Sequence, residues 1–170
     1  MKIDDNTIVV FTTDNGPNQF SWPDAATTPF RNEKNSNWEG AFRVPALVKW
    51  PGGIKPNQIS REMFSGLDWF PTLLAAAGDN TVKERLLKGT KLGSKTFKVH
   101  LDGYNQLPDL TGQQPKGERH EFYYFDDDGQ LVGTRVDDWK FVWCEQRKPG
   151  SFEVGAIRSL AGCAKSLRSG

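Results

Sequence analysis

The 170 residues carry 22 lysines and arginines against 21 aspartates and glutamates, a formal net charge of +1. That balance gives no global field to attract nucleic acid or an acidic membrane, and no apolar run reaches the roughly 18 residues needed to span a bilayer. The start, MKIDDNTIVV, lacks the apolar core and cleavage site of a signal peptide, and two cysteines with two histidines make neither a disulfide framework nor a zinc ligand set.

In chain order, residues 7–13, TIVVFTT, are β-branched and aromatic. They predict a strand buried on both faces, as in the middle of a parallel sheet, stopped by Asp14-Asn15-Gly16-Pro17. Residues 18–42 form a long polar loop whose Trp22, Phe30, Trp38 and Phe42 let it pack on itself; a loop of this length in a compact domain points to function. VPALVKW, 44–50, predicts a second short strand. In SGLDWFPTLLAAAG, 65–78, Leu67, Phe70, Leu73, Leu74 and Ala77 share one helical face. Pro71 suits the first turn of a helix starting near Trp69 or Phe70, and Gly78 suits its stop.

Residues 79–96 are polar and lysine-rich, and read as a solvated helix end and loop rather than an anion site. TFKVHLDG, 96–103, predicts a further strand, and 106–120 a linker with turn chemistry. Three antiparallel strands follow over 121–126, 130–136 and 139–144, joined at Asp128-Gly129 and Asp137-Asp138. The run Asp126-Asp127-Asp128 lacks the alternating spacing and distal Glu of an EF-hand loop, so it reads as a turn. From Gly150 the tail is small and basic, and 155–170 is expected to be poorly ordered.

Ligands of open α/β sheets sit beyond the carboxyl ends of strands, where Asp14 and Asn15 stand. A carboxylate and an amide oxygen are hard donors, suited to Ca²⁺ or Mg²⁺ rather than zinc. Two such groups cannot fill the roughly six to eight positions of a calcium ion. In RNEKNSNWEGAFRVP, Lys34 offers a mobile point charge for an oxyanion, with Arg31 and Arg43 nearby. Taken singly, these are a common turn and ordinary surface cations.

Together and in order, VVFTTDNGP, FRNEKNSNWEGAFRVPALVKWPGGI and LDWFPTLLAAAG resemble the carboxyl-terminal half of a sulfatase of the bacterial arylsulfatase-like branch, in the alkaline phosphatase superfamily. KVHLDGYNQLPDLTG and the segment from Glu121 to Val154 extend the likeness. It implies an α/β fold: the end of an alkaline-phosphatase-like mixed sheet with flanking helices, then a small antiparallel β subdomain. The division expected is 1–105 for the α/β part, 106–120 for a linker, 121–154 for an antiparallel meander and 155–170 for the tail.

The resemblance also implies roles. Asp14 and Asn15 match the Asp-Asn pair that completes a divalent cation site, usually Ca²⁺ with Mg²⁺ as the other option. Lys34 matches the lysine that contacts the sulfate group. Arg31, Trp22 and Trp38 are substrate-loop candidates, the two tryptophans for stacking on a sugar ring, with loop packing the favoured role. Two-zinc members of the superfamily carry Asp-His where this chain has Asp14-Asn15, so hard oxygen at Asn15 favours a sulfatase.

The family nucleophile is a formylglycine made in a C/S-x-P-S-R motif, which these residues lack; CAKSLRSG has Lys165 in place of Pro and Leu167 in place of Arg. Glu39-Gly40-Ala41 departs from the family's Glu-Gly-Gly. The expectation is a calcium-dependent sulfate ester hydrolase whose nucleophile lies in a missing amino-terminal half, with this chain inactive alone. The alternative is a non-catalytic anion- or partner-binding module. The resemblance further implies a sulfate ester substrate for the complete protein and export to the periplasm or outside. The charge balance leads to the expectation of no nucleic acid or membrane partner, and a sheet edge left open by the missing half to that of self-association.

Overall fold

The β-branched run near the amino terminus does form a strand, β1 (Val9–Thr12), but it pairs antiparallel with β2 (Ala46–Lys49), Val9 opposite Lys49 and Thr12 opposite Ala46. The computed structural model describes residues 3–19, 26–144 and, as strand backbone, 160–166. The expectation of a parallel, doubly buried strand is corrected here: Val9, Val10, Phe11 and Leu47 are all exposed. β-Branched and aromatic composition reports a tendency to bury. It does not say which element supplies the cover, and β1 and β2 form a two-stranded sheet of their own.

The chain divides into two units, residues 1–50 with 121–170, and residues 51–120. This grouping differs from the expected boundary near 105, because the carboxyl-terminal sheet belongs with the amino-terminal loops. In the first unit the loop after β1 leads to a one-turn helix, α1 (Glu39–Phe42), and then to β2. The sheet contains β5 (Glu121–Phe125), β6 (Leu131–Val136), β7 (Trp139–Cys144) and β8 (Leu160–Ser166), in that order and all antiparallel. The first three match the predicted meander. β8 lies where a poorly ordered tail is expected; its backbone pairs with β7, Trp139 opposite Ser166, and small residues such as those of LAGCAKS do not exclude a strand that has a partner edge. Along β7, Lys140 and Val142 are buried while Trp139 and Trp143 are exposed, the period-two alternation of a half-covered sheet. A lysine on the covered face requires a partner.

The first helical element of the second unit is a 3-10 turn, Gly66–Asp68, capped reciprocally: Leu67 N donates to Ser65 Oγ at 3.2 Å and Ser65 N to Asp68 Oδ2 at 2.8 Å. Helix α2 (Trp69–Ala76) follows with Pro71 in its first turn, as read from the sequence. It ends at Gly78, φ +97°, whose N donates to Ala75 O while Asp79 N donates to Leu74 O. The buried face is a correction. Pro71, Thr72 and Ala75 are buried, whereas Leu67, Phe70, Leu73 and Ala77 are exposed. Thr72 Oγ1 accepts from Gln106 N at 2.9 Å, and Asp68 holds Arg119 at 2.7 Å with both side chains buried. A satisfied polar seam therefore occupies the covered side.

Helix α3 (Val82–Lys88) is followed by a hairpin of β3 (Thr90–Leu92) and β4 (Lys95–Phe97), so the strand predicted over 96–103 begins earlier and ends at Phe97. The predicted linker contains helix α4 (Leu107–Leu110) and the buried Gln106 and Arg119. It is packed, because its turn residues are tied to Asp68 and Thr72.

Candidate active site

Three backbone segments of the first unit meet at the end of β1. Gly16 N donates to Ala41 O at 2.7 Å, Gly40 N to Arg31 O at 2.8 Å and Lys34 N to Pro17 O at 2.9 Å. Two glycines make this approach possible. A Cβ on Gly16 would collide with the Gly40 carbonyl oxygen, and one on Gly40 with the Asn32 carbonyl oxygen. The turn bearing Asp14 and Asn15 is thus bonded through Pro17 to the backbone of Lys34. Glu33, beside Lys34, is buried and accepts from Gln19 N, fastening the same loop a second time. Asn32 and Asn35 flank the lysine with φ of +66° and +69°, the left-handed region that asparagine tolerates better than most residues.

Asp14 is exposed and Asn15 half-buried. Asn15 Nδ2 donates to Gly16 O at 2.7 Å, which orients the amide and leaves its oxygen as a hard donor. Thr13 Oγ1 donates to Asn15 O at 3.0 Å and closes the turn. Among the described residues no three His, Cys, Asp or Glu side chains cluster as a metal site. The donors present fit part of a calcium or magnesium shell and fall short of a whole one.

Lys34 is half-buried. Arg31 is exposed and its guanidinium lies 3.8 Å from the Trp38 ring centroid, while Arg43 covers Phe30 at 4.4 Å. Trp38 is 4% exposed, so it takes the packing role and its ring face is given to Arg31. Trp22 lies outside the described residues. The other sequence candidates stay apart from chemistry. His100 and His120 are exposed, with His100 Nδ1 3.1 Å from Asp102 Oδ1. Asp126 Oδ1 accepts from Asp128 N and Gln130 N at 3.1 and 2.8 Å, the turn role read from the sequence.

Sequence reasoning missed Glu39. Its buried carboxylate accepts from Lys140 Nζ, Arg135 Nη1 and Tyr124 OH, each at 2.9 Å. Burial pushes its pKa up, yet Lys140, Tyr124 and Arg135 together outweigh this and hold it below the usual carboxylate value. Lys140 is fully buried; burial, opposed by Glu39, brings it down to about 8. Tyr124 is raised, first by burial and then by the Glu39 charge. The buried face of β7, which a period-two reading supplies, is the one signal that could have flagged Lys140.

Known proteins resemble this chain in sequence and in fold. A family model described as Sulfatase matches residues 2–79. N-acetylgalactosamine-6-sulfatase of Homo sapiens is 36% identical over 126 residues, 73% of this chain and 21% of that enzyme. Arylsulfatase of Hemicentrotus pulcherrimus is 31% identical over 155 residues, 91% of this chain and 25% of that protein. The crystal structure of PsFucS1 sulfatase from Pseudoalteromonas sp. superposes with a TM-score of 0.76 at 26% identity, covering 96% of this chain and 31% of that one. The chain belongs to the sulfatase family, with the mixed α/β, alkaline-phosphatase-like fold of its structural neighbours. It spans about a quarter or less of the length of these curated relatives. The matches name animal and bacterial proteins alike, so they carry the family and not a bacterial branch of it.

Proposed function

We propose that the chain forms one side of the active site of a longer sulfatase that hydrolyses sulfate esters. In this reading Asp14 and Asn15 supply two oxygen ligands to a Ca²⁺ ion, with Mg²⁺ served by the same donor chemistry, and Lys34 contacts the sulfate group. Such a cation, when bound, stabilises negative charge on the sulfuryl oxygens as the ester bond breaks. The Lys34 ammonium adds a second positive charge at those oxygens, and a preorganised charge of this kind is commonly the largest catalytic term. The formylglycine nucleophile then comes from the remaining length of the protein, so these residues alone are inactive. Arg31 stands at the loop surface and serves as a substrate-loop residue. Export to the periplasm or outside completes the reading.

The observation that supports this most is the glycine-mediated backbone junction of 14–17 with 31–34 and 39–41, which ties the Asp14-Asn15 turn to the Lys34 loop by hydrogen bonds of 2.7–2.9 Å. Asn15, unlike an imidazole, also fits a hard cation better than zinc. A retired, non-catalytic module has no chemical need for Asp14, Asn15 and Lys34 together, so the alternative is not favoured.

The test is aryl sulfate hydrolysis by the full-length protein bearing this chain. Lys34→Ala is expected to lower kcat by about 10²- to 10³-fold, the scale of losing one preorganised donor at a developing anion. A variant with parental kcat, or a parent that prefers aryl phosphate over aryl sulfate, would sink the proposal.

A further inference from the structure

The junction of the three segments rests on α1, and α1 is gripped from the carboxyl-terminal sheet. Glu39 opens this one-turn helix, adjacent to Gly40, whose N donates to Arg31 O and whose carbonyl lies against Gly16. Its carboxylate is reached by Tyr124 of β5, Arg135 of β6 and Lys140 of β7. Lys140 Nζ also lies 3.6 Å from the Tyr124 ring centroid, so the ammonium is enclosed by one carboxylate and one aromatic face. Asn37, two residues before Glu39, adds Nδ2 bonds to Val132 O and Cys144 O at 3.2 and 2.6 Å. Phe42 packs edge-on to Tyr124 with centroids 4.8 Å apart.

A buried charge cluster is an expensive way to hold a helix. Apolar residues of similar volume fill such a space at equal or lower free energy. What the cluster provides is direction, since each donor meets one carboxylate oxygen in a fixed geometry. That direction passes to Gly40 and Ala41, and from them to Gly16 and Arg31.

Resting on the sulfatase reading above, we propose that Lys140 is a positioning residue for sulfate ester hydrolysis. By fixing the Glu39 carboxylate it fixes α1, and through the α1 backbone it sets the placement of Asp14 and Asn15 relative to Lys34. Lys140 touches neither substrate nor cation. Its effect belongs to the step in which charge develops at sulfur, so it acts on kcat more than on KM.

The experiment uses the full-length protein with Lys140→Met, Lys140→Arg, Tyr124→Phe and, as a control, Lys34→Ala. Aryl sulfate hydrolysis is measured against substrate and calcium concentration, with thermal melts of each variant. Lys140→Met is expected to lower kcat by about 10- to 100-fold, the scale of a small misplacement of catalytic groups, while KM moves by about threefold or less and more calcium is needed for half-maximal rate. Lys140→Arg restores most of the rate, because a cation again meets the carboxylate. If Lys140→Met does not fold, Tyr124→Phe decides, with an expected loss of about fivefold in kcat measured well below its own melting transition, where the variant is folded. Parental kcat and calcium requirement in the folded variants overturn the proposal, as does a rate that falls only with the folded fraction. Full activity in Lys34→Ala would instead sink the reading of the site itself, so the two failures are told apart.

Discussion

Gly16 and Gly40 control the candidate site without contributing a functional group. Each sits where another backbone carbonyl occupies the space of a side chain, so even one methyl must move a strand end or a loop. Gly16→Ala is expected to cost about 3 kcal/mol, the upper range for forcing one methyl into a packed region. Urea denaturation of the protein checks this, and unchanged stability would show that the segments separate easily. In the sequence Gly16 is visible within the stop after the first strand, and Gly40 within Glu39-Gly40-Ala41. Their contact with each other was not visible, because it joins positions 24 residues apart. The roles proposed for Asp14, Asn15 and Lys34 rest on a different kind of signal, ordered motifs that together resemble those of a sulfatase.

At the scale of elements, the turns of the carboxyl-terminal meander and the end of α2 were legible, whereas the β3–β4 hairpin and the covered face of α2 were not. The turns at Asp128-Gly129 and Asp137-Asp138 and the stop at Gly78 follow from local backbone demands, and the structure has them. The covered face of α2 depends on Asp68, Thr72, Gln106 and Arg119, whose bonds span 34 to 51 residues. Apolar periodicity does not register a polar seam.

The Glu39 cluster is the same case, with partners 85 to 101 residues away. It predicts a pH effect. The folded pKa of Glu39 lies below its ordinary value of 4.5, with burial opposing and Lys140, Tyr124 and Arg135 prevailing. Below that value the unfolded chain binds more protons than the folded one. Stability from this carboxylate is therefore complete above about pH 4.5 and drains as pH falls through the lower folded value. Glu39→Gln should flatten the stability profile on the acid side of pH 4.5, read from thermal melts across that acid range. An equally steep profile would show that other groups govern it.

For the whole molecule, the β1–β2 sheet leaves Val9, Val10, Phe11 and Leu47 exposed. Apolar strands with open edges template association, and the chain alone is expected to self-associate through them. Sedimentation of the chain should show a concentration-dependent rise in mass that Phe11→Lys reduces; a monomer at all concentrations would contradict this. Among the described residues no helix is long and apolar enough to cross a membrane.

In the proposed site Asp14 and Asn15 hold a hard cation beside Lys34. The most direct measurement is the calcium requirement of aryl sulfate hydrolysis after chelation, in the full-length protein and its Asp14→Ala variant. Chelation is expected to abolish activity and calcium to restore it, and Asp14→Ala to need at least about tenfold more calcium, the scale of losing one charged oxygen ligand. Activity indifferent to chelation, or an unchanged calcium requirement in Asp14→Ala, would contradict this.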